Sequence, residues 1–161
     1  MVASVPRVVM TTEEFGEDQH MPVSKGTAEW RGDIPTGTGV FSAGESLTGG
    51  YTYKSRFEDG PGGNPEQLIA AAHASCFSMA LASGLGKAGH SPSSIRTEAQ
   101  VTLRPVDGAP TITSIALTVR GVVPNLSAEE FQAQAEAAKA GCPVSRALAG
   151  VPEITLHAEL E

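Results

Sequence analysis

Residues 64–89 read NPEQLIAAAHASCFSMALASGLGKAG, and this stretch predicts the long helix around which the rest of the chain is arranged. Asn64 is a good helix N-cap, and Pro65 fits the first helical position. The helix is predicted to run to about Lys87 and to end at Gly89. At 1.5 Å per residue its length is about 35 Å, which is the width of a small domain.

The predicted helix is apolar nearly all round and has no charged side chain from Gln67 to Gly86. An uncharged run of this length is also what a membrane span requires. The run includes His73, Ser75 and Ser78, however, and these side chains make a poor lipid-facing surface. We therefore predict a helix that is buried in protein at the centre of the fold.

The segments on either side of this helix show the alternation of strands and the caps of shorter helices. Residues 25–60 contain short β-like runs broken by glycine, which predict hairpins. The elements predicted after the long helix are, in order, strands at 95–103 and 111–123, a helix between the capping box of Ser127 with Glu130 and Gly141, a short helix from Cys142 to about Ala149, and a strand at 154–160. This order predicts an α+β fold, in which a mainly antiparallel sheet wraps around a long central helix.

The chain of 161 residues suits one domain, which we place at residues 22–161. Residues 1–21 show no sustained period and are predicted to form an N-terminal extension. The net charge of −7 argues against nucleic acid or an anionic membrane as the main partner, because both bind basic surfaces. No segment has the pattern of a secretory signal, so we expect a cytoplasmic protein.

Cys76 and Cys142 are the two cysteines of the chain, too few for a secreted disulfide scaffold. Cys76 could be a small core residue, a nucleophile, or a metal ligand together with His73 and Cys142. The metal site lacks support from any CxxC pair or second nearby histidine. A nucleophile needs a stabilised thiolate, but Cys76 lies about 18 Å past the helix start, where the helix dipole has faded. It would therefore need a cation from elsewhere, and spacing alone selects none of the arginines.

Three segments resemble, in order and approximate spacing, the OsmC branch of the OsmC/Ohr family of organic hydroperoxide reductases. They are RFEDGPGGNPEQLIAAAHASCFSMAL, KAGCPVSRAL and EITL, and the resemblance covers about residues 24–160. It implies that Cys76 is the peroxidatic cysteine and Cys142 the resolving cysteine. It also implies that Arg56 stabilises the thiolate and that Glu66 orients this arginine.

The resemblance further implies a thiol-dependent peroxidase that reduces organic hydroperoxides, and more weakly hydrogen peroxide, through a Cys76 sulfenic acid and a Cys76–Cys142 disulfide. A dithiol such as dihydrolipoamide would be the reductant, and no metal or organic cofactor is expected. Glu66 and Cys76 lie about 15 Å apart along one predicted helix. This separation agrees with the intertwined homodimer, with shared sites, that the family implies.

Two other functions stay open at this point. The first is a cysteine-nucleophile hydrolase or acyltransferase with His73 as the base, although a pair on one helix leaves no obvious orienting acid. The second is a non-catalytic protein that binds a small apolar ligand in a dimer groove. Reaction with a peroxide separates these functions, because a hydrolase or a binder would keep both thiols.

Overall fold

The structure is a computed structural model that describes residues 21–161. The described chain divides into two compact units, residues 21–68 and residues 69–161. The predicted extension at residues 1–21 lies outside the described residues except for Met21. The division falls within the long helix.

The unit at residues 21–68 is built on the predicted hairpins. Its strands form an antiparallel sheet in the order β1-β2-β3, namely β1 at Gly26–Arg31, β2 at Thr38–Ala43 and β3 at Leu47–Thr52. The Tyr51 ring packs against Trp30 and Phe41, with ring centroids 5.5 and 6.3 Å away. Gly39 makes room for this ring, because a Cβ at that position would collide with Tyr51.

A short helix, α1 at Tyr53–Phe57, follows β3 where the sequence predicted another β-like run. The prediction was wrong because Thr52 and Ser55 form a capping box. The Thr52 hydroxyl accepts the backbone N–H of Ser55 at 3.0 Å, and the Ser55 hydroxyl accepts that of Thr52 at 2.8 Å. Arg56 therefore lies on a helix that is held at its first turn.

The long helix, α2 at Pro65–Lys87, has the predicted limits. The Asn64 side-chain oxygen accepts the backbone N–H of Gln67 at 2.8 Å, and the Gln67 side chain accepts that of Asn64 at 3.2 Å. Gly89, with a φ of 87°, follows the last turn and takes the left-handed conformation that ends many helices.

The unit at residues 69–161 contains the second sheet, in the order β4-β5-β6, with β4 at Ser94–Val106, β5 at Ala109–Val122 and β6 at Glu153–Leu160. β4 and β5 are antiparallel, whereas β5 and β6 are parallel. Two helices, α3 at Ala128–Gly141 and α4 at Pro143–Ala147, connect β5 to β6. Three of the four strand pairings are thus antiparallel, and the predicted α+β fold class is confirmed.

The hairpin between β4 and β5 is longer than predicted, because Asp107 and Gly108 make the turn. Both have a positive φ, of 50° and 81°, as a two-residue hairpin turn requires. The predicted strands stopped at residue 103 and resumed at 111, so the structure extends the pairing almost to the turn.

One side of α2 lies in the core of the unit at residues 69–161. Phe77, Leu81 and Leu85 are fully buried in a cluster whose other members come from β5, α3 and the residues that follow them: Leu117, Val119, Val123, Phe131, Ala135, Ala138 and Cys142. Met79, on another side of the helix, is 76% exposed. By length and composition α2 could cross a membrane, but core helices of soluble proteins pass the same test. The expected burial holds for one side of the helix.

Candidate active site

Cys76 and Cys142 are 66 residues apart in sequence, yet their sulfur atoms lie 3.2 Å apart. Both are free thiols, and the Cys142 thiol donates a hydrogen bond to the Cys76 sulfur. Cys76 is half-buried on α2, whereas Cys142 is fully buried. The gap is about 1.2 Å longer than a disulfide bond, so a small movement would allow the two sulfur atoms to bond.

The position of Cys142 follows from the sequence around it. Cys142 is both the residue after α3 and the N-cap of α4, with Pro143 at the first helical position as predicted. Its sulfur accepts the backbone N–H of Ser145 at 3.5 Å. The chain therefore turns between two helices at Cys142, whose sulfur faces Cys76.

The immediate surroundings of Cys76 disfavour its thiolate. Burial raises the pKa of the Cys76 thiol, and the neighbouring Cys142 raises it further, while a hydrogen bond from the Val144 backbone acts in the opposite direction. Within residues 69–161 no lysine or arginine contributes to the shift. A reactive Cys76 thus needs a cation in addition to these groups.

Arg56 and Glu66 form a bidentate ion pair in the unit at residues 21–68. The Arg56 Nη2 atom lies 2.8 Å from Glu66 Oε1, and its Nε atom lies 3.3 Å from Oε2. The Glu66 side chain is 10% exposed and the Arg56 side chain is 36% exposed. Such a pair fixes the plane of the guanidinium while leaving part of it accessible.

An apolar cavity of about 230 Å³ lies beside Arg56. The guanidinium carbon of Arg56 is 5.1 Å from the centre of the Phe57 ring, and Tyr53 packs against the same ring. The lining residues of this cavity are Trp30, Ile34, Tyr51, Thr52, Tyr53, Arg56 and Phe57. The cavity can accept an uncharged organic group next to a cation.

Within the described residues the hydrogen bond of the His73 ring is to Ser145 and not to either cysteine. The ring is fully buried, and its Nε2 atom is hydrogen-bonded to the Ser145 hydroxyl at 2.7 Å. Burial lowers the pKa of His73, which favours the neutral ring. Among residues 21–161 no group of three metal-binding side chains lies close enough to hold an ion. The geometry thus gives no support to the metal site or to the hydrolase.

The structure assembles the four predicted site residues as two pairs, the two cysteines in one unit and Arg56 with Glu66 in the other. Sequence reasoning missed Ser145, which contacts both His73 and Cys142. Its position three residues after a predicted N-cap could have identified it, because that is the residue whose N–H an N-cap side chain binds. The aromatic residues beside Arg56 left no recognisable signal in the sequence.

Comparison with known proteins gives concordant matches. The family described as OsmC-like protein matches residues 58–157. Peroxiredoxin OsmC of Escherichia coli K12 is 48% identical over 139 residues, which are 85% of this chain and 96% of that protein. The organic hydroperoxide resistance protein OhrB of Bacillus subtilis matches with a TM-score of 0.66 and 28% identity, over 86% of this chain and 98% of that one. An OsmC-like protein from Mycoplasma pneumoniae shares the fold, with a TM-score of 0.68 and 16% identity over 86% of this chain and 97% of that one.

Proposed function

This chain belongs to the OsmC-like family and is a cysteine-based peroxidase, and we propose that it reduces organic hydroperoxides by means of a Cys76–Cys142 disulfide. The observation that carries the proposal is the 3.2 Å approach of the two sulfur atoms. The name of its Bacillus relative, an organic hydroperoxide resistance protein, refers to the same class of peroxide.

The first step is attack of the Cys76 thiolate on the distal oxygen of the peroxide. The O–O bond breaks, the sulfur keeps the hydroxyl group as a sulfenic acid, and the organic oxygen takes up a proton and leaves as an alcohol. Cys76 is assigned this step because it is partly accessible, whereas Cys142 is fully buried.

The second step is attack of Cys142 on the Cys76 sulfenic acid. A sulfur–sulfur bond forms, the sulfur–oxygen bond breaks, and the hydroxyl group leaves as water with the proton of the Cys142 thiol. A dithiol, of the dihydrolipoamide type by family resemblance, then reduces the disulfide by exchange and is itself oxidised.

Arg56 would supply the cation that the surroundings of Cys76 lack. Its planar guanidinium remains charged at physiological pH and can bind both the thiolate and the negative charge that develops on the peroxide. The two contacts with the Glu66 carboxylate fix the orientation of the guanidinium plane. The apolar cavity beside Arg56 gives an organic substituent a place that hydrogen peroxide would leave empty.

A second subunit would bring Arg56 to Cys76. Because α2 continues without a break from Pro65 to Lys87, Glu66 and Cys76 are about 15 Å apart along its axis and point to different faces. Ala71, Ser75 and Met79 follow one another at intervals of four on an exposed side of α2. The small side chains of Ala71 and Ser75 and the apolar side chain of Met79 suit the close approach of a second copy. We therefore propose an intertwined homodimer with two shared sites.

Thiol counting tests the proposed chemistry. Reduced protein treated with one equivalent of cumene hydroperoxide should lose both thiols and form an intramolecular disulfide that a dithiol reverses. The same treatment with hydrogen peroxide should proceed more slowly, since that peroxide cannot fill the apolar cavity. Retention of both thiols, measured with a chromogenic thiol reagent and by intact mass, would contradict the proposal.

A Met79→Glu substitution tests the homodimer. A carboxylate at this exposed apolar position should disfavour burial against a second copy, so the mass in solution should shift from two chains toward one. Ala133→Glu on an exposed part of α3 adds the same charge and should leave the mass unchanged. Light scattering after size-exclusion chromatography gives the mass, and a Met79→Glu protein that remains fully dimeric would contradict this interface.

A further inference from the structure

Two side-chain contacts, one helical turn apart, join α2 to the start of α4. One is the Cys76–Cys142 contact at 3.2 Å, and the other is the hydrogen bond between His73 and Ser145 at 2.7 Å. His73 and Cys76 are three residues apart on one face of α2. Cys142 and Ser145 are likewise three residues apart. The His73–Ser145 contact therefore lies next to the Cys76–Cys142 contact, both along α2 and along the start of α4.

Ser145 connects His73 directly to the resolving thiol. Its hydroxyl is hydrogen-bonded to the His73 ring, while its backbone N–H donates to the Cys142 sulfur at 3.5 Å. The Cys142 carbonyl accepts the N–H of Arg146 at 3.0 Å, which closes the same turn. Movement of Ser145 away from α2 would therefore carry the Cys142 sulfur with it.

The buried side chain of His73 carries a cost in stability. The side chain is fully buried, and within the described residues its Nδ1 atom has no hydrogen-bond partner. An unpaired buried polar atom costs free energy that an apolar side chain of similar size would avoid. Within residues 21–161 the one polar contact of the His73 side chain is with Ser145, which suits a role in positioning that residue.

We propose that His73 and Ser145 are positioning residues for the disulfide-forming step. They hold the Cys142 sulfur within reach of Cys76, so that attack on the sulfenic acid is faster than further oxidation by peroxide. The inference rests on the proposed function, because it concerns the second step of that reaction. The first step, in which peroxide oxidises Cys76, does not use the His73–Ser145 hydrogen bond.

The test measures the two steps separately in the full-length protein. A His73→Leu/Ser145→Ala double variant removes both polar partners at once, so its stability should stay close to wild type. Reduced protein is mixed with one equivalent of cumene hydroperoxide and quenched at intervals with dimedone and an alkylating agent. Intact mass then distinguishes thiol, sulfenic acid and disulfide.

We expect oxidation of Cys76 at about the wild-type rate, with disulfide formation slowed by about tenfold to a hundredfold, since a misplacement of about 1 Å can cost up to a hundredfold. Sulfenic and then sulfinic acid should accumulate. His73→Gln, whose terminal amide can still reach the Ser145 hydroxyl, should restore most of the disulfide rate. Ser145→Ala alone should also slow disulfide formation without slowing the oxidation of Cys76. This single variant keeps the test informative even if the double variant fails to fold.

A Ser78→Ala/Thr97→Val double variant is the matched control. It removes another 2.7 Å hydroxyl contact of α2, to β4, which does not reach Cys142, and both steps should keep their wild-type rates. Wild-type disulfide formation in the His73→Leu/Ser145→Ala protein would overturn the inference, and so would equal slowing of both steps. A wild-type protein that forms no disulfide would instead overturn the proposed function, and this inference with it.

Discussion

A Cys76→Ser protein is expected to consume no peroxide, whether in multiple turnovers or in a single stoichiometric reaction. A serine hydroxyl cannot be oxidised to a sulfenic acid, and the remaining thiol, Cys142, is fully buried. The loss should be complete relative to the uncatalysed background. Peroxide consumption by a colorimetric assay, with and without a dithiol, gives the measurement.

A Cys142→Ser protein should behave differently, because it keeps the attacking thiol and loses only the resolving one. It should consume about one equivalent of peroxide and then stop, with Cys76 held as sulfenic acid or oxidised further. Intact mass should show one or two added oxygen atoms and no disulfide. Unlike the wild type, this protein should be trapped by dimedone.

The pair of variants also tests the order of the two cysteines. If Cys142→Ser is inert while Cys76→Ser reacts with one equivalent, the roles are reversed and the peroxide enters at Cys142. The exposure of the two residues argues for the order proposed here, since a peroxide cannot reach a fully buried sulfur without local opening. Far-ultraviolet circular dichroism should show that both variants keep the fold.

The elements with strong local signals could be predicted from the sequence. The cap at Asn64, the uninterrupted apolar run and Gly89 determine α2 locally, and Ser127 with Glu130 does the same for α3. Each of these ends is fixed by groups within a few residues of one another. A periodicity argument can therefore locate them without knowledge of the rest of the chain.

What could not be predicted depends on contacts between distant residues. The α1 helix is held partly by the Ser55 hydroxyl, which donates to the Gly63 carbonyl at 2.8 Å, beyond the span of any local pattern. The approach of Cys76 to Cys142 and of His73 to Ser145 depends on how α2 packs against the turn before α4. For the cysteines the family resemblance supplied the expectation. For Ser145 the N-cap spacing indicates the bond to Cys142 but not the contact with His73.

Mixing two inactive variants should restore about a quarter of wild-type activity if Arg56 serves the Cys76 of a second subunit. Cys76→Ala removes the nucleophile and Arg56→Ala removes the cation, so each variant alone should be inactive or nearly so. With equal amounts and free exchange of subunits, half of the dimers contain one chain of each kind. In such a dimer one shared site carries both defects and the other is intact.

The continuous α2 helix motivates this expectation. The Glu66 carboxylate, in the first turn of α2, accepts two hydrogen bonds from Arg56, at 2.8 and 3.3 Å. Cys76 lies about 15 Å further along the same helix and on another face. Within residues 69–161 no cation offsets the effect of burial, which raises the pKa of the Cys76 thiol. We therefore propose that Arg56 of a second subunit supplies this charge.

The experiment needs proof that subunits exchange, because a mixture of two unexchanged homodimers would be inactive for a trivial reason. Labelling one variant with heavy isotopes and observing the mixed dimer by native mass spectrometry supplies that proof. A mixture of Cys76→Ala with Cys142→Ala is a useful comparison, because both residues lie in one unit and contact each other within the chain. Neither site of that mixed dimer contains both thiols, so catalytic turnover should not recover. If the Cys76→Ala and Arg56→Ala chains exchange fully and the mixture still lacks activity, the shared site is wrong, and Arg56 must act within its own chain.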